Sequence, residues 1–265
     1  MRHLLESGAD VVERFARDRS ALLVLDFDGT VAPFASTPEA ARIDPSAEAA
    51  LRRLTAESGS SSARLRVGVA SGRRIDDLRR LLPPLDFWIG LHGLELAIGE
   101  DSSRLRFDPG PSDRALDRIR KRLAEAVSHG GRVEDKQHSI ALHVRGLEPP
   151  PLREEAIVAF ARIVESERAA GAPLECLRGH LVAEARPTAA GKHRAIADVR
   201  SHFGGGTLAF VGDDVTDEEV FRAFPREVTV VVMDPPRTSD ARYYLRSPGE
   251  TATLLVRLSE IRDGR

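Results

Sequence analysis

The sequence predicts a doubly wound α/β core interrupted by an inserted α+β domain. Three observations predict it. Short apolar runs alternate with helix-period stretches near both ends of the chain. Three of those runs stop at Asp or Ser motifs, and α/β sheets bind ligands just outside the carboxyl ends of their strands. Between the alternating parts lies a block whose order is helix, strand, strand, helix, strand, strand.

The elements follow in order. Residues 1–20 read as one amphipathic helix, with Leu4, Leu5, Val11, Val12 and Phe15 on or near one face. Ala21 to Leu25 is a continuous apolar run, suited to a strand buried on both faces. Residues 45–57 are helical by the spacing of Ala47, Ala50, Leu51 and Leu54, with Pro45 in the first turn. Leu65 to Ala70 is a second strand. Ser71-Gly72-Arg73 then leads into a helix through Leu82, which Pro83-Pro84 ends. Phe87 to Ile89 is a third strand. Leu94–Ile98 and Leu105–Phe107, parted by a polar segment, read as a hairpin. The central block places helices at 111–128 and 150–169, with strands at 131–136, 138–145, 173–178 and 180–185. Alternation resumes with helix 191–202, strand Thr207–Val211, a short helix at Glu218–Ala223, strand Val228–Met233 and a final helix at 249–261. The expected division is a first core part, 1–110, an inserted domain, 111–186, and a second core part, 187–265.

Composition narrows the function. The 265 residues carry 39 Lys plus Arg against 41 Asp plus Glu, a formal net charge of −2. That balance excludes a globally basic nucleic-acid binder. No run approaches the roughly 18 apolar residues of a membrane span, and residues 1–20 are too interrupted by acids for a signal peptide. Cys176 stands alone and cannot form an intrachain disulfide. The expectation is a cytoplasmic protein with neither nucleic acid nor membrane as partner.

Carboxylates carry the chemistry. The first strand ends in Asp26-Phe27-Asp28-Gly29-Thr30, and a later one in Gly212-Asp213-Asp214-Val215-Thr216-Asp217-Glu218. Acids gathered at one sheet edge repel unless a cation sits among them. A hard divalent ion such as Mg2+, shared with a phosphate, accounts for them economically. Ser71 offers a hydroxyl and N–H groups at a helix start, and Lys192 a compact positive charge at another. Singly, each motif has an ordinary structural reading as a turn, a helix start or a solvated side chain. All four in this order, each beside an apolar run, point to one site.

These motifs resemble those of haloacid-dehalogenase-type phosphatases. The chain resembles the trehalose-6-phosphate phosphatases more closely, through Gly90-Leu91-His92-Gly93-Leu94-Glu95, Glu134-Asp135-Lys136, His143-Val144-Arg145, Glu184-Ala185-Arg186-Pro187 and the whole run Gly212 to Phe221. The resemblance spans residues 25–221. It implies a Rossmann-like core with an inserted αββαββ cap. It implies that Asp26 is the nucleophile and Asp28 the general acid and base. Ser71 and Lys192 would bind the phosphoryl oxygens. Asp26, Asp28, Asp213 and Asp214 would form the Mg2+ site, with Asp217 orienting the acidic loop. Glu134, Lys136, Arg145 and Glu184 would grip the sugar.

The implied reaction is hydrolysis of trehalose 6-phosphate. A separate trehalose-6-phosphate synthase is the implied partner, because the chain has no glycosyltransferase-like region and would act as a free-standing phosphatase. The alternative substrates are sucrose 6-phosphate and a glycosyl-3-phosphoglycerate, which the same core chemistry would serve. A phosphomutase and an inactive binding module are further readings. The segment Gly191-Lys192-His193 departs from the family's usual Asn-Lys-Gly.

Overall fold

The computed structural model describes residues 1–56, 65–126, 131–179, 181–235 and 238–264. The chain divides into two compact units, Met1–Arg104 with Gly191–Arg265, and Leu105–Ala190.

The first unit begins with β1 (Arg2–His3), α1 (Leu4–Ser7) and α2 (Ala9–Arg17). Then come β2 (Ala21–Leu25), α3 (Pro45–Ala56), β3 (Leu65–Ala70), α4 (Ile75–Leu81), β4 (Phe87–Gly90), β5 (Glu95–Ile98) and β6 (Arg104–Leu105), whose last residue opens the second unit. The second unit holds α5 (Gly110–Ala126), β7 (Arg132–Asp135), β8 (Ile140–His143), α6 (Pro151–Ala169), β9 (Leu174–Gly179) and β10 (Val182–Pro187). The chain returns to the first unit with α7 (Lys192–His202), β11 (Thr207–Gly212), α8 (Val215–Ala223), β12 (Val228–Val232), β13 (Tyr243–Leu245) and α9 (Pro248–Arg262).

The larger sheet has the order β1-β13-β12-β11-β2-β3-β4-β5-β6. From β1 to β4 every pairing is parallel, and β5 runs antiparallel to β4. Both faces are covered, so its central strands are apolar throughout. Leu23, Leu25, Val67 and Val69 pack with residues of α2, α3 and α9. Leu22, Val24, Phe87 and Phe210 pack on the opposite face with residues of α7 and α8. The smaller sheet, β7-β8-β10-β9, is antiparallel throughout. Its Ile140, Leu142, Ala183 and Ala185 pack against residues of α5 and α6.

The structure departs from the sequence expectation at the ends. The N-terminal helix is two helices, parted at Gly8. A Cβ there would stand 2.7 Å from the Leu4 carbonyl oxygen, so this close turn needs glycine. The preceding residues add β1 to the sheet edge beside β13, itself a strand that the sequence reading left unassigned. The last short helix starts at Val215, not Glu218, because the Asp217 carboxylate accepts the N–H groups of Asp213 and Asp214 at 2.9 and 3.1 Å and fixes the turn there.

Gly68 in β3 lies between Val24 and Phe87 in the sheet register. A Cβ at Gly68 would meet the Phe87 ring at 2.3 Å. Phe87 is fully buried and cannot swing into solvent. Gly68→Ala is therefore expected to destabilise the protein by about 1–3 kcal/mol through overpacking, read as a lowered thermal midpoint. Adding Phe87→Leu should recover part of the loss, and additive losses in the double variant would contradict the ring contact as the cause.

Candidate active site

The site lies where the sheet changes direction. From β2 the chain winds outward through β3 and β4, and from β11 it winds the opposite way through β12 and β13. Such a switch point leaves a crevice outside the strand ends. Asp26 follows β2 directly, and its N–H donates to the Val211 carbonyl at 2.8 Å. Asp213 follows β11. The two acids come from sequence positions far apart and meet because β2 and β11 are paired neighbours.

Beyond Asp26 the chain doubles back. Val31 and Ala32 donate N–H bonds to the Phe27 carbonyl, and Gly29 donates to Ala32. Gly29 takes φ +79°, and a Cβ there would stand 2.2 Å from Asp213 Oδ2. Both the left-handed backbone and the close approach require glycine. Thr30 Oγ1 then donates to Asp213 Oδ1 at 3.0 Å.

Lys192, the first residue of α7, is buried and donates from Nζ to Asp26 Oδ1 and to Asp217 Oδ1, each at 2.7 Å. One oxygen from each of Asp26, Asp213 and Asp217 lies within 4.8 Å of the others. Burial pushes the Asp26 carboxyl up to about 7; the Asp217 charge adds to this and Lys192 opposes it. Burial, then Asp26 and Asp217, pushes Asp213 up to about 9. For Lys192, burial disfavours the ammonium, but Asp217 and Asp26 more than offset it and hold its pKa above the ordinary lysine value. Three carboxylates around one ammonium leave a deficit of positive charge. An all-oxygen donor set of this kind suits a hard divalent cation.

The other core residues named from the sequence lie around this cluster. Asp28 is half-buried, and Arg73 grips it with two bonds of 2.7 Å, Nε to Oδ2 and Nη2 to Oδ1. The Arg73 guanidinium also lies over the Phe27 ring. Ser71 is buried at the end of β3, where its Oγ accepts the Arg73 N–H at 3.3 Å. Asp214 is exposed and stands outside the acid cluster, whereas Asp217 is fully buried within it. Sequence reasoning gave Arg73 no role and Asp217 only an orienting one. Each sits inside a motif, Ser71-Gly72-Arg73 or the Gly212 to Phe221 run, but local sequence does not show its partner.

His92 joins two loops. Its N–H donates to the Ser71 carbonyl, and its own carbonyl accepts the Gly191 N–H at 2.7 Å. A Cβ on Gly72 would strike the His92 ring at 2.4 Å. The segment around His92 therefore braces both the Ser71 loop and the start of α7.

In the second unit, strand register puts Glu134, Ala141 and Glu184 in one row. That row faces away from the helices, because the alternate residues Leu142 and Ala183 pack in the apolar cluster. Lys136 Nζ meets Glu184 Oε2 at 3.4 Å, and His143 Nε2 meets Glu134 Oε2 at 2.7 Å. The bond from His143 holds the Glu134 carboxyl below the usual glutamate range. Arg145 lies in an exposed turn, with no ion-pair partner among the described residues.

Comparison with known proteins gives a consistent result. The sequence model described as Trehalose-phosphatase matches residues 24–248. A probable trehalose-phosphate phosphatase of Sinorhizobium fredii is 32% identical over 209 residues, 77% of this chain and 74% of that one. A trehalose-phosphate phosphatase of Mycolicibacterium paratuberculosis is 32% identical over 97% of this chain, which spans only 65% of that longer protein. The solved C-terminal domain of trehalose-6-phosphate phosphatase from C. albicans is 19% identical, with a TM-score of 0.78 over 94% of this chain and 96% of that one. This last likeness bears on the fold, a haloacid-dehalogenase-type core with an inserted α+β cap unit. A match over so much of the chain decides the family: it belongs to the trehalose-phosphatases, a family of phosphoric monoester hydrolases.

Proposed function

We propose that this chain hydrolyses trehalose 6-phosphate to trehalose and phosphate, using Mg2+ and an aspartyl-phosphate formed on Asp26. The observation that carries the reading is the acid cluster at the switch point, with the Lys192 ammonium between Asp26 and Asp217. Asp26, Asp213 and the Asp28 backbone carbonyl are the proposed metal ligands, with Asp214 close by. When bound, Mg2+ would neutralise charge on the transferring phosphoryl group.

The residues then divide the work. An Asp26 oxygen bonds to phosphorus as the ester bond to the sugar breaks. Asp28 gives its proton to the departing sugar oxygen. In the second half Asp28 takes a proton from water, the water oxygen bonds to phosphorus, and the Asp26–phosphorus bond breaks. Ser71 and Lys192 hold phosphoryl oxygens throughout. Glu134, Lys136, Arg145 and Glu184 bind sugar hydroxyls, which need both donors and acceptors. The four proposed sugar-binding side chains carry two positive and two negative charges, and Lys136 is paired with Glu184. This favours a neutral sugar over a phosphoglycerate, whose extra carboxylate would call for more cations. The reading places the reaction in the cytoplasm, with substrate supplied by a separate trehalose-6-phosphate synthase.

The test is phosphate release from trehalose 6-phosphate, sucrose 6-phosphate, a glucosyl-3-phosphoglycerate and glucose 6-phosphate. It is run with Mg2+ and again after chelation. Trehalose 6-phosphate should lead in kcat/KM, and chelation should abolish release until Mg2+ is restored. Preference for another sugar phosphate would displace the substrate assignment; full activity after chelation would displace the metal. Asp26→Asn should cut turnover roughly 10^3-fold or more while circular dichroism stays native. Near-normal turnover would remove Asp26 as nucleophile. Glu134→Ala and Lys136→Ala should each cost about tenfold or more in kcat/KM on trehalose 6-phosphate, as expected when a buried polar contact is lost. They should cost much less on p-nitrophenyl phosphate; equal losses on both would rule out a sugar contact.

A further inference from the structure

Phe34 is 77% exposed, the most exposed large apolar side chain among the described residues and the only aromatic one. A lone exposed apolar residue is ordinary on a protein surface. Its position is what distinguishes this one. Val31 and Ala32 are buried, and the chain leaves the core only at Pro33 and Phe34. The turn that begins at Asp26 then carries the ring back over Gly29. The point where a Gly29 Cβ would stand is 2.7 Å from Phe34 Cζ and 2.2 Å from Asp213 Oδ2. The ring edge and a carboxylate of the acid cluster thus converge on one point.

An aromatic ring in that place gives up the stabilisation that burial would provide. It also cannot help to bind the phosphate, because the faces of an aromatic ring carry negative charge density and disfavour anions. A sugar is a different partner. One face of a pyranose ring presents C–H bonds with partial positive charge, and these suit the ring face that an anion avoids. A phosphate held beside Asp26 and Asp213 keeps its ester group within a few bonds of this platform.

We propose that Phe34 is a specificity-determining residue for the sugar part of the substrate: its ring is the platform on which the pyranose next to the phosphate ester rests. The inference rests on reading the chain as a sugar-phosphate phosphatase and adds to the polar contacts an apolar one supplied by the core unit itself. Phe34 is neither an acid, a base nor a metal ligand. Its contribution is to bind the leaving group and to separate sugar phosphates from small phosphate esters and anhydrides.

The experiment compares wild type, Phe34→Ala, Phe34→Leu and Phe34→Tyr on two substrates. One is the sugar phosphate that wild type prefers, and the other is acetyl phosphate, which has no ring to stack. The readout is the ratio of the two kcat/KM values. Phe34→Ala should lower this ratio roughly five- to tenfold, chiefly through KM for the sugar phosphate. Phe34→Tyr should restore it to within about twofold, and Phe34→Leu should fall closer to Ala than to Tyr. Equal losses on both substrates, or no loss on either, would overturn the proposal while the sugar-phosphate reading stands. A wild type that prefers acetyl phosphate to every sugar phosphate would overturn both, and would be evident before any variant is measured.

Discussion

One buried ammonium holds the site together. Lys192 bonds Asp26 and Asp217, and Asp217 in turn takes the N–H groups of Asp213 and Asp214. Buried carboxylates each cost several kcal/mol unless paired and hydrogen-bonded. Without this cation Asp26 and Asp217 would repel, and the start of α8 would lose the carboxylate that shapes it. The position of Lys192 is itself constrained. The Gly191 N–H bonds to the His92 carbonyl, and a Cβ on Gly93 would stand 2.5 Å from the Gly191 carbonyl oxygen. The charge network therefore depends on a close approach of two backbones, which only a residue without a side chain permits.

Local sequence could not bring these groups together. Asp26 and Asp213 are adjacent because β2 pairs with β11, and the whole second unit lies between them in the chain. The sheet winds both ways from that pair, so a parallel register sets the spacing of the acids. A one-residue slip of β11 against β2 would turn alternate side chains to the opposite face. The apolar clusters on both faces penalise that slip, since Leu22 and Val24 pack on one side and Leu23 and Leu25 on the other. Core packing thus sets the geometry of the charged site at its edge.

This explains what the sequence makes legible. β2 and β3 run over the residues expected of them, Ala21–Leu25 and Leu65–Ala70, because a buried parallel strand is a continuous apolar run with sharp ends. The antiparallel order of β7, β8, β10 and β9 follows a pattern of short paired runs. β1 and β13 are not legible because two or three residues carry no period; β1 is a strand only beside β13, and β13 lies between β1 and β12. The N-terminal apolar spacing continues across Gly8, where the helical backbone does not, so it predicts one helix where two stand. In the site, Asp26, Asp213 and Lys192 stand out as residue types at strand and helix ends. The grip of Arg73 on Asp28 was not readable, since a contact across 45 positions leaves no local trace.

The division of labour between lysine and arginine gives the site its logic. Only three of 39 basic residues are lysine. Lys192 and Lys136 each meet a buried carboxylate, whereas Lys121 is exposed. Arginine serves elsewhere, gripping Asp28 from Arg73 and Asp135 from Arg120 with two bonds each. A guanidinium fork occupies both oxygens of its partner in one plane; an ammonium takes one oxygen and keeps further N–H groups for a third party. Lys192 uses two of its three N–H groups on Asp26 and Asp217, which leaves one for an anion arriving between them. Arginine at that position would trade this capacity for a closed pair. Asp28 shows the cost of such closure, because both of its oxygens are already engaged by Arg73. In the proposed mechanism, donation from Asp28 to the leaving sugar oxygen competes with this grip.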